Sequence, residues 1–216
     1  MPLVKKKIEE IKVRAAVMSD LAVAMFRDAL ESLEPSGRDF WKEVEERDDR
    51  VDELEIELEN ACLGLLALQA PKASELRYVV AVTRLASDLE RVGDHSAAIA
   101  KAARGRYLAP LVAETPDFKN MAARALKALV GAGEAFFALD SRRHGLLLVE
   151  DREIGALQRS LNKELVAIMS RDSQKTEDAV NLINVIRRVE RVADHAKNIA
   201  ALVPYVEDGT MARHLG

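Results

Sequence analysis

Cysteine is nearly absent from the 216 residues: Cys62 stands alone, so no disulfide can form within the chain. Set among Ala61, Leu63, Leu65 and Leu66, its thiol reads as a buried, inert side chain. Aromatic residues make up only 4% of the sequence, while Ala, Leu, Glu, Arg and Val are plentiful, a balance that favours helices over sheets. No apolar run approaches the roughly 20 residues needed to span a bilayer; runs such as 63–68 and 146–149 are far shorter. No signal-peptide pattern opens the sequence, so a cytoplasmic location is expected, with any membrane reached only through partners. Positive charge is not in excess either. A net charge of −4 argues against nucleic acid as a partner, and Lys5, Lys6 and Lys7 read as a solvated helix end.

What is present is helical periodicity over nearly the whole chain. The six prolines, Pro2, Pro35, Pro71, Pro110, Pro116 and Pro204, are read as its breaks, since proline inside a helix removes a backbone bond and clashes with the preceding turn. Helices are expected near 3–33, 37–69, 72–106, 116–139, 142–170 and 173–205, the fourth opened by Thr115 as N-cap. Packing stripes run through Val51, Leu54, Leu58, Ala61, Leu65 and Leu68, through Val82, Leu85, Leu89, Val92, Ser96 and Ile99, and through Leu182, Val185, Val189, Val192, Ala196 and Ile199. The fold class is all-α: helices of about 30 residues, joined by short loops and packed as antiparallel neighbours.

The sequence also repeats itself. Glu90-Arg91-Val92-Gly93-Asp94-His95 recurs as Glu190-Arg191-Val192-Ala193-Asp194-His195, and Asp48-Asp49-Arg50-Val51 corresponds to Asp151-Arg152-Glu153-Ile154. A shared apolar stripe would not require matching charged residues, so duplication explains the pattern. Two tandem three-helix bundles follow, one over 1–108 and one over 109–216, six long helices in all, with the join near 108–115.

The repeated residues are mostly acidic. Residues four apart share a helix face, so Glu90 sits beside Asp94 and Asp48 beside Asp52, each pair repelling by roughly 0.2–0.5 kcal/mol unless a cation lies between them. The seam at Leu89 and Val92 turns Glu90 and Asp94 outward, and Asp48 and Asp52 lie on the flank of their helix. Asp52 and Glu90 are equally distant from the turn at Pro71, so an antiparallel pair brings them level. Asp151 and Glu190 are nearly level in the same way about Arg171, with Asp194 one turn on. Taken singly, such pairs read as a solvated face neutralised by Arg47, Arg91 and Arg191. Their repetition, with level partners on a neighbouring helix, favours a surface site for a cation with oxygen ligands: iron, zinc, manganese, magnesium or calcium. His95 and His195 face elsewhere and read as structural hydrogen-bonders. Asn198, opposite Ala98 in the first repeat, is given no role.

The segments beginning Leu89-Glu90-Arg91 and Val189-Glu190-Arg191, each running on to Ile-Ala at 99–100 and 199–200, resemble the repeat hallmark of the PhoU family of phosphate-signalling proteins. The resemblance implies a homodimeric, non-enzymatic negative regulator of phosphate uptake, coupling a phosphate ABC transporter to a sensor histidine kinase. It implies metal, iron or zinc above all, on Asp48, Asp52, Glu90 and Asp94 in the first half, and on Asp151, Glu190 and Asp194 in the second. Gly155 stands where the second half should repeat Asp52, so the first site is expected to hold metal more tightly. Two alternatives keep the same bundle: an accessory protein of a Pit-type phosphate permease, and a metal-free scaffold. A di-iron enzyme is disfavoured, because Gly93 and Ala193 stand where its Glu-x-x-His motifs need histidine.

Overall fold

A computed structural model describes residues 3–35, 37–104 and 107–210. The expected break at Pro2 and the expected helix end at 106 lie outside the described residues. The helices are α1 (Leu3–Glu31), α2 (Trp41–Leu68), α3 (Ala73–Ala103), α4 (Ala109–Glu114), α5 (Pro116–Ala138), α6 (Arg142–Arg171) and α7 (Thr176–Asp208). Among the described residues there is no strand, and no helix is long and apolar enough to cross a membrane. Six long helices are therefore joined by a seventh, the six-residue α4, in the segment expected to be a linker.

The seams decide the packing. Every expected seam residue of α3 and α7 is buried. The helix α3 packs against α1, α2 and α7, and α7 packs against α3, α5 and α6, so the two three-helix units meet along their third helices. One continuous apolar core results, with Phe26 and Phe136 among its largest fully buried side chains. The stripe of α2 drifts from expectation in its last turns. Cys62 is fully buried, as its apolar neighbours implied, Ala61 of the expected stripe is only partly buried, and Leu68 is 80% exposed. A 3.6-residue helix advances past a fixed three-four spacing, which moves the contact line by one residue. Burial pushes the Cys62 thiol up to about 11, so it stays protonated at neutral pH.

Three local readings are corrected. Thr115 does not cap α5 with its side chain; its Oγ1 donates instead to Leu111 O (2.9 Å), closing α4. Pro204 does not end α7. The helix continues to Asp208, where Gly209 takes a left-handed φ of 90° and Arg77 of α3 donates to Val206 O and Glu207 O, both at 3.1 Å. Those bonds satisfy carbonyls that the end of a helix otherwise leaves open. The start of α2 falls four residues later than expected. Gly37 lies so close to Glu31 O that a Cβ would sit 1.9 Å away, and the chain stays outside any helix from Gly37 to Phe40.

The drift of the α2 stripe has a measurable consequence. Leu58→Ala should cost about 2–5 kcal/mol of unfolding free energy, and Leu68→Ala less than about 0.5 kcal/mol, in urea titrations followed by helical circular dichroism.

Candidate functional site: two acidic clusters on the long helices

The first cluster lies on the paired faces of α2 and α3, near the middle of both helices. Its registration begins at a glycine. A Cβ on Gly93 would lie 2.9 Å from Asp48 Oδ1 and 3.5 Å from Val51 Cγ1 and Met25 Cε, so α3 offers a bare backbone surface against which the Asp48 carboxylate rests. Asp48 is half-buried there, and Asp52, one turn on, is exposed. From α3, Glu90 is largely shielded, its side chain 18% exposed, whereas Asp94 stands half out at 50%.

The four carboxylates feel one another. Burial, followed by the charges of Asp52 and Asp94, pushes the Asp48 carboxyl up to about 6. Asp52 is raised by burial and then by Asp94. Glu90 is raised by burial and then by Asp94, with Arg91 acting the other way. Glu55, which was not expected, joins the group: it is raised by burial and Asp52 and reaches Ser87. The guanidinium of Arg91 lies 3.3 Å from both Glu90 and Asp94. Arg47, expected to neutralise the cluster, pairs instead with Asp28 of α1.

The second cluster, on α6 and α7, brings Asp151, Glu190 and Asp194 together as expected. It also contains a residue the repeat pattern did not single out. Lys197 Nζ lies 2.9 Å from Asp151 Oδ2 and 3.0 Å from Asp194 Oδ1. Burial works against the charge on Lys197, but hydrogen bonds to Asp151 and Asp194 outweigh it and raise its pKa. Arg191 pairs with Asp194 at 3.2 Å. Glu190 is raised by burial and then by Asp194, while Arg191 and Lys197 act the other way. The signal for Lys197 was present in the sequence: the repeat has Ala97 at that place, and the i+3 spacing puts Lys197 on the face of Asp194.

Among the described residues no three His, Cys, Asp or Glu side chains converge as metal ligands do. The donor chemistry of the first cluster nonetheless fits a hard or borderline cation. It offers only carboxylate oxygens, and glycine leaves room beside Asp48. In the second cluster Ala193 replaces Gly93, Gly155 replaces Asp52, and Lys197 is added.

Between the two units, α3 meets α7 through polar contacts that only partly repeat. His195 Nδ1 lies 2.9 Å from Asp88 Oδ1, and Asn198 Nδ2 donates to the same oxygen at 3.4 Å, which gives Asn198 a structural role. His95 stacks at 5.7 Å from His195, but its buried Nδ1 has no hydrogen-bond partner. Burial, His195 and Arg188 hold it down at about 4, so it is neutral. The expectation of a hydrogen-bonding histidine is met by His195 and not by Nδ1 of His95.

The PhoU domain model matches residues 16–103 and again 118–203, one match on each three-helix unit. The chain belongs to the PhoU domain family. A protein of Pseudomonas aeruginosa described as a phosphate-specific transport system accessory protein PhoU homolog is 28% identical over 97% of this chain and 87% of its own length. A homolog of the same description from Aquifex aeolicus is 30% identical over 97% of this chain and 95% of its own. The crystal structure of PhoU from Pseudomonas aeruginosa superposes with a TM-score of 0.86 at 27% identity, covering 95% of this chain and 99% of that one.

Two outcomes follow from the PhoU-type first cluster. The Asp48 carboxyl is raised above its unfolded value, so it favours folding below about pH 4, and that contribution is lost as pH rises through about 6. With chelator present, Asp48→Asn should therefore raise the stability at pH 7.5 by about 1 kcal/mol or less, after allowing for its partial exposure, with the gain gone by pH 4 in urea titrations. Gly93→Ala, which installs the second repeat's residue, should leave the melting temperature equal or slightly higher, since alanine is the better helix former by about 1 kcal/mol. If the first cluster takes Mn²⁺, the same change should weaken its binding in calorimetric titration, because Asp48 must move.

Proposed function

We propose that this chain is a regulatory accessory protein of a phosphate-specific transport system, restraining phosphate uptake and the phosphate-starvation response by protein contact and not by turnover of a substrate. The observation that carries the reading is the end-to-end correspondence with proteins so described, which extends over 97% of this chain in both repeats. Those descriptions name a phosphate-specific transport system and so favour it over a Pit-type permease as the partner. In this reading the protein works at the cytoplasmic side as a homodimer, contacting the transporter and a membrane sensor kinase. Exposed apolar residues on α1 (Leu3, Val13, Val17) and on α2 (Ile56, Leu63, Leu68) supply surface suited to partner chains.

The metal part of the reading rests on the first cluster. Asp48, Asp52, Glu90 and Asp94 would hold the ion, iron or zinc in first place, with manganese, magnesium or calcium suited to the same oxygens. A bound cation would supply positive charge where these carboxylates repel, tying α2 to α3. Support comes from the raised Asp48, Asp52 and Glu90 carboxyls, of which only Glu90 is opposed by the guanidinium of Arg91.

Deleting the gene should switch on the phosphate-starvation response and raise phosphate uptake in phosphate-rich medium, with the plasmid-borne gene restoring repression. An unchanged response in the deletion strain would sink the regulatory reading. Protein purified without chelator or affinity tag should contain stoichiometric metal by elemental analysis, and Asp52→Ala/Asp94→Ala should lack it. Chelation should lower the melting temperature of the unaltered protein by several degrees and leave that of the double variant unchanged.

A further inference from the structure

The two repeats place their acids on corresponding faces but meet the resulting charge differently. In the first, five carboxylates (Asp48, Asp52, Glu55, Glu90 and Asp94) face the guanidinium of Arg91, leaving a formal charge of −4 when all are ionised. In the second, three carboxylates (Asp151, Glu190 and Asp194) face both Arg191 and Lys197, leaving −1. Arg91 and Arg191 are the same residue of the repeat, each bonded to the aspartate three residues on. The difference therefore lies in Lys197, in Gly155 and in Gln158, which stands where the first repeat has Glu55.

The placement of Lys197 is specific. Its ammonium bridges the two helices, with one carboxylate from α6 (Asp151) and one from α7 (Asp194), at 2.9 and 3.0 Å. Charge-assisted hydrogen bonds of that length are strong ones, and the Lys197 side chain is only 29% exposed. A divalent ion using Asp151 and Asp194 would have to displace the ammonium from both. It would also find no acid at Gly155 to replace Asp52. The donor set of the second cluster does not fit a metal while Lys197 stands in it.

We propose that Lys197 is the built-in cation of the second repeat, its ammonium standing where the first repeat takes a metal ion, so that the chain has one exchangeable metal centre and one lysine-locked counterpart. The comparison with the first repeat rests on the metal reading given above; the exclusion of metal from the second does not. The two halves of the duplicated bundle then differ in kind. The α2–α3 pair responds to the metal supply, and the α6–α7 pair is clamped whatever that supply is.

The test uses Mn²⁺ as the probe, with bound ion measured by elemental analysis after desalting and by thermal melts with and without Mn²⁺. Asp52→Ala/Asp94→Ala should bind no Mn²⁺ and show no Mn²⁺-dependent rise in melting temperature. Adding Lys197→Ala, the residue the first repeat has at Ala97, should restore both binding and the thermal rise, and a further Asp194→Ala should abolish them. Lys197→Met, which keeps the apolar stem, repeats the test without loss of packing. Retention of Mn²⁺ by Asp52→Ala/Asp94→Ala that Asp194→Ala then removes would overturn the proposal. Failure of both Lys197 variants to gain Mn²⁺ would do the same. If the unaltered chain binds no Mn²⁺ yet the Lys197 variants do, the metal reading of the first cluster fails for that ion and the role of Lys197 stands.

Discussion

The burial of the seams of α3 and α7 is the constraint on which the rest of the molecule depends. Val82, Leu85, Leu89, Val92, Ser96 and Ile99 are all buried, as are their six counterparts from Leu182 to Ile199. Each third helix packs on two helices of its own unit and on the other third helix. Helices enclosed on so many sides have little freedom to rotate, because rotation would expose apolar surface at about 25 cal/mol for each Å². Glu90 and Asp94, and likewise Glu190 and Asp194, are thereby held toward the α2 or α6 flank. The acidic clusters follow from how the core is packed, and their mutual repulsion is tolerated because the core outweighs it.

The two clusters then show two ways of meeting the same electrostatic cost. Burial and neighbouring like charges together raise the carboxyl pKa values, most visibly at Asp48, which burial, Asp52 and Asp94 push up to about 6. In the first repeat the protein leaves that repulsion in place, and Gly93 keeps Asp48 close against α3. In the second repeat an ammonium on a four-carbon stem reaches Asp151 and Asp194 together. The second arrangement meets most of its charge within the chain; the first leaves its carboxylates facing one another. The same four-residue spacing on a duplicated scaffold has thus taken two chemical characters.

A similar asymmetry runs through the contact between the units. Asp88 receives His195 and Asn198, while the position one repeat later is Arg188, beside a neutral His95. A strictly repeated acid would set Asp88 and its copy against one another's histidines in identical fashion. Exchanging one acid for arginine gives the two third helices unlike partners, and a unique pairing is easier to specify when the two sides differ. The polar contacts at this seam therefore mark which unit is which.

Much of this was legible in the residues. The three-four stripes placed the buried faces of α3 and α7, and the paired Glu-Arg-Val-x-Asp-His segments announced the duplication. Such features are local, because helical periodicity is a property of consecutive residues. Other features were not local. The end of α7 past Pro204 is capped by Arg77, far away in sequence, which bonds the carbonyls of Val206 and Glu207. Thr115 turns its hydroxyl back on α4, a helix whose six residues are too few to announce themselves by period. Leu68 leaves the core because a straight helix drifts against a fixed seam. Which carboxylates meet a cation of their own was decided by the pairing of α6 with α7, since Lys197 and Asp151 are 46 residues apart in the chain. The sequence by itself determined the helices, their duplication and the faces on which the acids lie, because those depend on neighbours within two turns. Only the tertiary structure decided which charges are satisfied, because a carboxylate's partner is set by the helix packed beside it.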